Sequence, residues 1–262
     1  MDKLVQYSFE KPPQKSLQKA LVENILKPSD NVYLLNVIRH YWLDEQQHIT
    51  KPLGLLGKTL EADYHIIHGA KLRIQNSLKC VREIPLDVDA VVFAPIASAQ
   101  IALNRERKDE GALVIDIGGG TTDIAIWKDG SLVHSQIVPV GGNHFTNDLA
   151  VALKIPHTEA ERIKINHGCV LAEQLNQSAH ITAQGLSGTK PREVQLSLIA
   201  DVLGARAEEL FQIIKHILAD KNIGNEITGD IVLSGGGALI KGVAAITSPT
   251  ETACIHKGCS TA

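Results

Sequence analysis

The run VIDIGGGTTDIAI, residues 114–126, sets two carboxylates, Asp116 and Asp123, around three consecutive glycines and two threonines. Residues that favour strands flank it on both sides. Glycine inside a strand is costly, so the triplet marks a turn or a place where a ligand meets backbone. N–H groups freed in such a turn form an anion-binding nest, and a phosphate held by Gly118, Gly119 and Gly120 would bring Mg²⁺ with it. Asp116 precedes the glycines by two positions and is suited to that ion, which keeps its waters and takes one or two carboxylates. Thr121 and Thr122 can add hydroxyl donors to phosphate oxygens, while Asp123 either joins the acidic pair or stands at the strand edge facing solvent. A second triplet, Gly235, Gly236 and Gly237, follows the apolar run IVLS and leads into regular structure. Two tight turns without a ligand remain the plain alternative. Neither triplet fits G-x-x-x-x-G-K-[ST] or G-x-G-x-x-G, which excludes the P-loop and the dinucleotide-binding turn.

The elements around these turns read as an α/β chain. Residues 16–26 form a short amphipathic helix ended by Lys27 and Pro28. NVYLLNVIRHYWL, YHIIHG and the polar stretch between them are strands of a small sheet, and residues 70–83 fit a helix. DAVVFAPIAS is expected as a buried strand ending at Pro95, then a helix through Leu103 and a charged loop, NRERKDEG. GALVIDI, TTDIAIWK and SLVHSQIV are strands, the last two joined at Asp129-Gly130, a strong hairpin signal. Residues 144–168 read as helix, turn and helix around Pro156. A longer helix, 192–219, is expected to turn Leu198, Val202, Ala205, Leu210, Ile213 and Ile217 inward, with Gly204 its weak point. Residues 85–246 should form one α/β unit that brings the two triplets together.

Composition narrows the class. The 262 residues are 44% hydrophobic and 21% charged, ordinary for a soluble globular protein, and the net charge of −3 gives no general attraction to nucleic acid. No run of about 18 apolar residues and no secretion signal are visible. Four scattered cysteines read as reduced thiols. CIHKGC (254–259) could offer two thiolates and His256 to a metal, but a structural zinc site needs four ligands and no second cluster is near.

DIGGGTTD resembles the second phosphate loop of the superfamily that holds actin, the DnaK-type chaperones and the sugar kinases, and LSGGGALIKG resembles its adenosine motif. Within it, KPLGLLGKTLEADYHIIHG, PVGGNHFTNDLAVAL, EAERIKINHGC and REVQLSLIADVLGARAEELFQII are similar to the FtsA family of bacterial cell-division proteins. The resemblance runs from about residue 16 to about residue 246. It implies a partial actin-like, ribonuclease H-like ATPase fold of class α/β, with a small subdomain of the type called 1C. The implied division is 1–68 (partial 1C), 69–110 (remnant of 1A), 111–148 with 227–262 (2A) and 149–226 (2B). ATP or ADP with Mg²⁺ would lie with its phosphates on Gly118–Gly120 and the ion near Asp116, held through water. Gly141 and Gly142 would stand beside ribose and phosphates, Glu161 and Lys164 at ribose and adenine, and Gly235–Gly237 under the nucleoside. From spacing alone, Glu161 and Lys164 share a helix face and are either a surface i,i+3 pair or two groups that reach one ligand.

The implied function is that of a scaffold, linking the FtsZ polymer to the membrane and to other division proteins and self-associating into filaments. The FtsZ tail would dock on the 2B region, on the positive surface around Lys190, Arg192 and Arg206. A DnaK-type ATPase domain and a sugar-kinase-like protein are the alternatives. The superfamily's first phosphate loop, D-x-G-[TS], is not found before residue 111, and TSPTETACIHKGCSTA resembles nothing in the family, so a chain shortened at both ends is expected. Ala94 stands before Pro95 where the chaperones carry a glutamate that helps place water, so weak or no ATP hydrolysis is expected. A cytoplasmic protein follows, with membrane contact only indirect, in a family that is peripheral on the inner face of the membrane at the division site.

Overall fold

Alternation in TLEADYHIIHGA builds a strand of the first sheet, Thr59–Ala70, in which Leu60, Ala62 and Tyr64 are buried while Thr59, Glu61 and Asp63 between them are only partly so. His65 and Ile66 extend the buried run. In the computed structural model the described residues are 2–8, 32–44, 46–49, 55–84, 86–176, 178–186, 190–221, 223, 227, 229–247 and 253–255. The first sheet holds β1 (Asp2–Ser8), β2 (Val32–Leu43), β3 (Gln46–Ile49) and β4 (Thr59–Ala70) in the order β1-β4-β2-β3, with antiparallel pairing throughout. Strand β1 was not foreseen; it pairs with β4 from Asp2 opposite His65 to Ser8 opposite Thr59. The helix expected at 16–26 and most of CIHKGC lie outside the described residues. The chain divides into two compact units, Met1–Phe93 with Ser131–His134, and Ala94–Gly130 with Ser135–Ala262, so the break falls at 93/94 rather than near 85.

Helix α1 (Lys71–Arg82) forms as its spacing predicts, but none of its residues is buried and Leu72 is 70% exposed. The strand expected at 89–95 does not form. No described strand pairs with it, and an extended run without a neighbour has nowhere to place its backbone hydrogen bonds. The chain stays irregular until α2 (Ala94–Ala102), which takes Pro95 into its first turn, where a missing N–H costs nothing. NRERKDEG is also not a loop. Arg105–Glu110 is a short helix, α3, whose start is capped by the Asn104 side chain accepting the Arg107 N–H at 2.9 Å.

The second sheet has the order β11-β10-β5-β6-β7, from β5 (Ala112–Ile117), β6 (Thr122–Lys128), β7 (Ser131–Val138), β10 (Ile231–Ser234) and β11 (Ala253–Ile255). Strand β10 runs parallel to both β5 and β11, and β6 runs antiparallel to β5. Leu113, Val114 and Ile115 are buried in succession, as are Ile124, Ala125 and Ile126, the mark of strands covered on both faces. Asp129 and Gly130 both take positive φ (50° and 72°), the turn required for a tight β6–β7 hairpin.

Helices α4 (Gly142–Leu153) and α5 (His157–His167) follow, then a two-stranded ribbon of β8 (His180–Ala183) and β9 (Arg192–Gln195), and α6 (Leu196–Asp220). Residues 192–195 are therefore strand rather than the first turn of the long helix, because REVQ pairs antiparallel with HITA. The buried row of α6 is Ile199, Leu203, Ala207, Leu210 and Ile214, not the row through Leu198, Val202 and Ala205. Both rows are apolar, and close packing selects the one that carries Gly204. A Cβ there would stand 2.7 Å from the Val170 carbonyl oxygen, so this glycine is a contact point and not a weakness.

One buried carboxylate ties α5 to the ribbon. Glu159, 8% exposed, accepts from Arg162 Nε and Nη2 at 2.8 and 2.7 Å and from the Gln184 N–H at 2.9 Å. The Arg162 hydrogen bonds hold its carboxyl down at about 2, against the opposing effect of burial. Because the folded value lies below the unfolded one, this stabilisation is complete above the ordinary carboxylate value and is lost as pH falls toward 2. Glu159→Gln is expected to lower unfolding stability by roughly 1–3 kcal/mol at pH 7, discounted for the solvent-facing arginine. Urea melts of both proteins should show that difference shrinking as the pH is taken below about 4.5.

Candidate functional site

The first glycine triplet turns between β5 and β6, closed by the Gly118 N–H donating to the Thr121 carbonyl at 2.9 Å. The carbonyls of Gly118 and Gly119 point at the start of α4, accepting from the Gly142 N–H at 2.8 Å and the Asn143 N–H at 2.7 Å. With the carbonyls committed to the helix, the N–H groups of Gly119, Gly120 and Thr121 make no hydrogen bond among the described residues. Three successive free donors are the nest that sequence spacing suggests.

The contact demands glycine at specific points. A Cβ on Gly141 would lie 2.7–2.8 Å from Gly118 O, Gly119 O and Thr121 N. Gly235, at φ +84°, lies against the end of β5, where a Cβ would clash with Asp116 Oδ1 and the Ile117 carbonyl. Gly237 abuts Ile117 in the same way. The two triplets thus meet at the end of β5, in one unit and on one side, as expected. The second leads into a 3₁₀ turn, Gly236–Leu239, before α7 (Val243–Thr247), rather than directly into an α-helix. Gly120 and Gly236 differ from the rest, since a Cβ on either meets nothing within 4 Å.

The carboxylates face each other. Asp116 and Asp123 are direct partners across the β5–β6 ladder, where like charges disfavour one another. Asp123 is not the solvent-facing edge residue considered from sequence: its Oδ1 is buried and has no hydrogen-bond partner. Burial, followed by the Asp116 charge, pushes its carboxyl up. Ser98 on α2 donates a hydrogen bond to Asp116 Oδ2. Two carboxylates, one with an unmatched buried oxygen, suit a cation held partly by water, and among the described residues no three His, Cys, Asp or Glu side chains gather to ligate a metal outright. The threonines separate: Thr121 is exposed beside the free donors, whereas Thr122 is fully buried and its hydroxyl donates to the Val140 carbonyl at 2.7 Å.

Glu161 and Lys164 are brought to α4 rather than left as a surface pair. Lys164 Nζ, its side chain 10% exposed, donates to Gly142 O at 3.0 Å, Thr146 Oγ1 at 2.8 Å and Glu161 Oε2 at 2.8 Å. Thr146, fully buried, also hydrogen-bonds Glu161 Oε2. Burial pushes the Glu161 carboxyl up, but the bonds from Lys164 and Thr146 outweigh it and hold the group below its ordinary value.

Comparison with known proteins places these features in a lineage. The family model "Cell division protein FtsA" matches residues 113–250, and the model of the SHS2 domain inserted in FtsA matches residues 14–68. The chain belongs to the FtsA family. The cell division protein FtsA of Pseudomonas aeruginosa is 36% identical over 215 residues, 82% of this chain and 52% of the relative. FtsA of Escherichia coli K12 is 33% identical over 238 residues, 86% and 57% of the two chains. The chain therefore spans about half the length of these curated relatives. Among solved structures, MreB5 of Spiroplasma citri bound to AMPPNP superposes with a TM-score of 0.59 at 24% identity, covering 71% of this chain and 60% of that one. The PilM–PilN type IV pilus biogenesis complex gives 0.60 at 18%, covering 94% and 62%. The fold is actin-like, as the motifs imply, and an FtsA-like identity displaces the DnaK-type and sugar-kinase alternatives.

In this FtsA-family chain, one of the three cations expected to make a positive surface, Arg206, is paired with carboxylates. Arg206 Nε and Nη2 pair with Asp148 at 2.5 and 3.0 Å, and Nη1 pairs with Glu209. Arg192 Nη2 donates to the Leu153 carbonyl, while Lys190 remains exposed. Beside Arg206 opens a groove of about 480 Å³ lined by Val151, Ala152, Val202 and Ala205. The second apolar row of α6 thus lines a surface groove instead of the core.

Sequence reading missed Ser98, Asn143 and Thr146. Asn143 and Thr146 lie in the quoted run PVGGNHFTNDLAVAL, and Thr146 is four residues after Gly142, a spacing that puts it on the same helix face; Ser98 carried no signal at all. The glycine geometry yields a paired expectation. Gly141→Ala should lower thermal stability by roughly 1–3 kcal/mol through overpacking of the loop against α4, whereas Gly120→Ala should stay within about 1 kcal/mol of the parent. Differential scanning calorimetry of the two variants compares them directly.

Proposed function

We propose that this chain is an adenine-nucleotide-binding, actin-like scaffold of bacterial division that turns over little or no ATP. The observation that carries it is the row of free N–H groups at Gly119–Thr121 beside the Asp116–Asp123 pair, in a turn fixed by α4. Gly118, Gly119, Gly120 and Thr121 would hold phosphate, and Asp116 would hold Mg²⁺ through water, supplying charge neutralisation. Glu161 would face the ribose, Lys164 would act from behind it, and Gly236 would pass beneath the nucleoside with Gly235 and Gly237 locking the turn. Gly141 and Gly142 serve as the bare surface on which the phosphate turn rests. MreB5 bound to AMPPNP and to ADP supports nucleotide as the ligand class. Ala94 offers no group to orient water, which favours binding over hydrolysis. The fourfold division 1–68, 69–110, 111–148 with 227–262, and 149–226 belongs to the same reading.

For partners we propose the tail of FtsZ, seated in the groove between α4 and α6, with self-association into filaments supported by the filament-forming neighbour MamK at a TM-score of 0.56. With Arg206 neutralised, the docking is apolar rather than led by charge. Val151, 69% exposed at the rim, can be changed without touching the core. Among the described residues no helix is long and apolar enough to cross a membrane. Location at the division site is proposed from the FtsA family membership.

Isothermal titration with ATP or ADP tests the site. Binding weaker than about micromolar is expected, stronger with Mg²⁺ than with EDTA, and Asp116→Ala should abolish that Mg²⁺ dependence. Nucleotide binding indifferent to both would overturn the Mg²⁺ assignment. In a pull-down, the FtsZ tail peptide should retain the chain at moderate salt, and Val151→Asp should release it with thermal stability unchanged.

A further inference from the structure

The hydrogen-bond account of Lys164 is closed in a way that its resemblance-based role does not anticipate. An ammonium group has three donors. All three are directed at protein acceptors: Gly142 O, Thr146 Oγ1 and Glu161 Oε2. None is left for a ligand. The Thr146 hydroxyl has one proton; since Lys164 Nζ approaches as a donor, the oxygen accepts there and its proton goes either to Glu161 Oε2 or to its own turn at Gly142 O, 3.1 Å away. Gly142 O already receives a proton from Lys164, which favours the carboxylate as the threonine's acceptor. Oε2 is thereby doubly held. Oε1 carries no hydrogen bond among the described residues, and the side chain is 38% exposed.

We propose that Thr146 is a positioning residue of the nucleotide site, acting with Lys164 to fix the Glu161 carboxylate so that Oε1 accepts from the hydroxyl groups of a bound ribose. The proposal rests on the nucleotide reading given above. The ribose is the partner that the family resemblance implies for Glu161, and charge agrees with it: a carboxylate close to an anion-binding turn repels phosphate, so its free oxygen suits the neutral, donor-bearing part of the ligand. Fixing the acceptor in advance matters because an unheld glutamate loses rotamer entropy on each binding event. The clamp also joins the two ends of the site, since its third anchor, Gly142 O, belongs to the residue whose N–H binds the phosphate turn.

The test compares ADP with 2′,3′-dideoxy-ADP by calorimetry on the full chain in Mg²⁺ buffer. The parent should prefer ADP, and Thr146→Val, which keeps shape and removes the hydroxyl, should weaken ADP about tenfold while leaving the dideoxy ligand within about twofold. Thr146→Ser should restore the preference, and Glu161→Gln combined with Thr146→Val should lose little beyond either alone. Equal weakening of both ligands by Thr146→Val would mean general damage to the fold and would overturn the proposal, as would no change in either. A parent that binds both ligands equally would overturn the ribose contact with nucleotide binding intact. A parent that binds neither would remove the nucleotide reading and this inference with it.

Discussion

Two hydrogen bonds, from the N–H groups of Gly142 and Asn143 to the carbonyls of Gly118 and Gly119, decide the geometry of everything around them. The first donors of an α-helix have no partner inside the helix. Here the β5–β6 turn supplies carbonyls to two of them, while the N–H groups of Gly119, Gly120 and Thr121 make no hydrogen bond among the described residues. One contact therefore caps α4 and holds the turn that carries the nest. It requires two pieces of backbone to touch with nothing between them, which is why Gly141 is bare: any Cβ would sit within 2.8 Å of three backbone atoms.

Polar groups near this contact fall into two kinds. Thr122, Thr146, Glu159 and Lys164 are buried or nearly so, and their hydrogen-bonding capacity is met within the fold, which rigidifies the elements they join. Asp123 is the opposite case. It is half-buried, faces Asp116 and keeps an unmatched oxygen. Buried Tyr64 Oη and Trp127 Nε1 also lack a partner, but only Asp123 carries its unmatched atom directly opposite a second carboxylate. Ser98 moderates the repulsion by donating to Asp116 from α2, linking a helix with no other chemistry to the acidic pair.

The apolar residues that are not buried are equally informative. Ile84, Leu86, Val92 and Ile101 are each more than half exposed, on a stretch whose pattern reads as core. Burial needs a partner surface as well as an apolar sequence, and no described strand lies beside residues 86–93. On α6 the same principle acts differently. Two apolar rows compete for the interior, the row with Gly204 packs against the Val170 carbonyl, and the row with Val202 and Ala205 is left to line a groove.

The glycine triplets, the carboxylate ahead of the first, the Asp129-Gly130 hairpin and the ordered motifs were legible in the sequence because each is a local requirement: a turn needs its residue types wherever it is built. The resemblance of these motifs to a known family implied the actin-like fold class and the FtsA family, and with them the meeting of the two triplets. Strand β1, the strand character of REVQ, the buried face of α6 and the failure of residues 89–95 to form a strand were not legible, because each depends on whether a distant segment supplies a hydrogen-bonding or packing partner. The same holds within the site. Spacing could say that Glu161 and Lys164 share a helix face, but only the tertiary structure brought Thr146 and Gly142 to them and used every proton of the lysine. Residue type sets what a group can donate or accept; the partner that takes it is chosen by the folded chain.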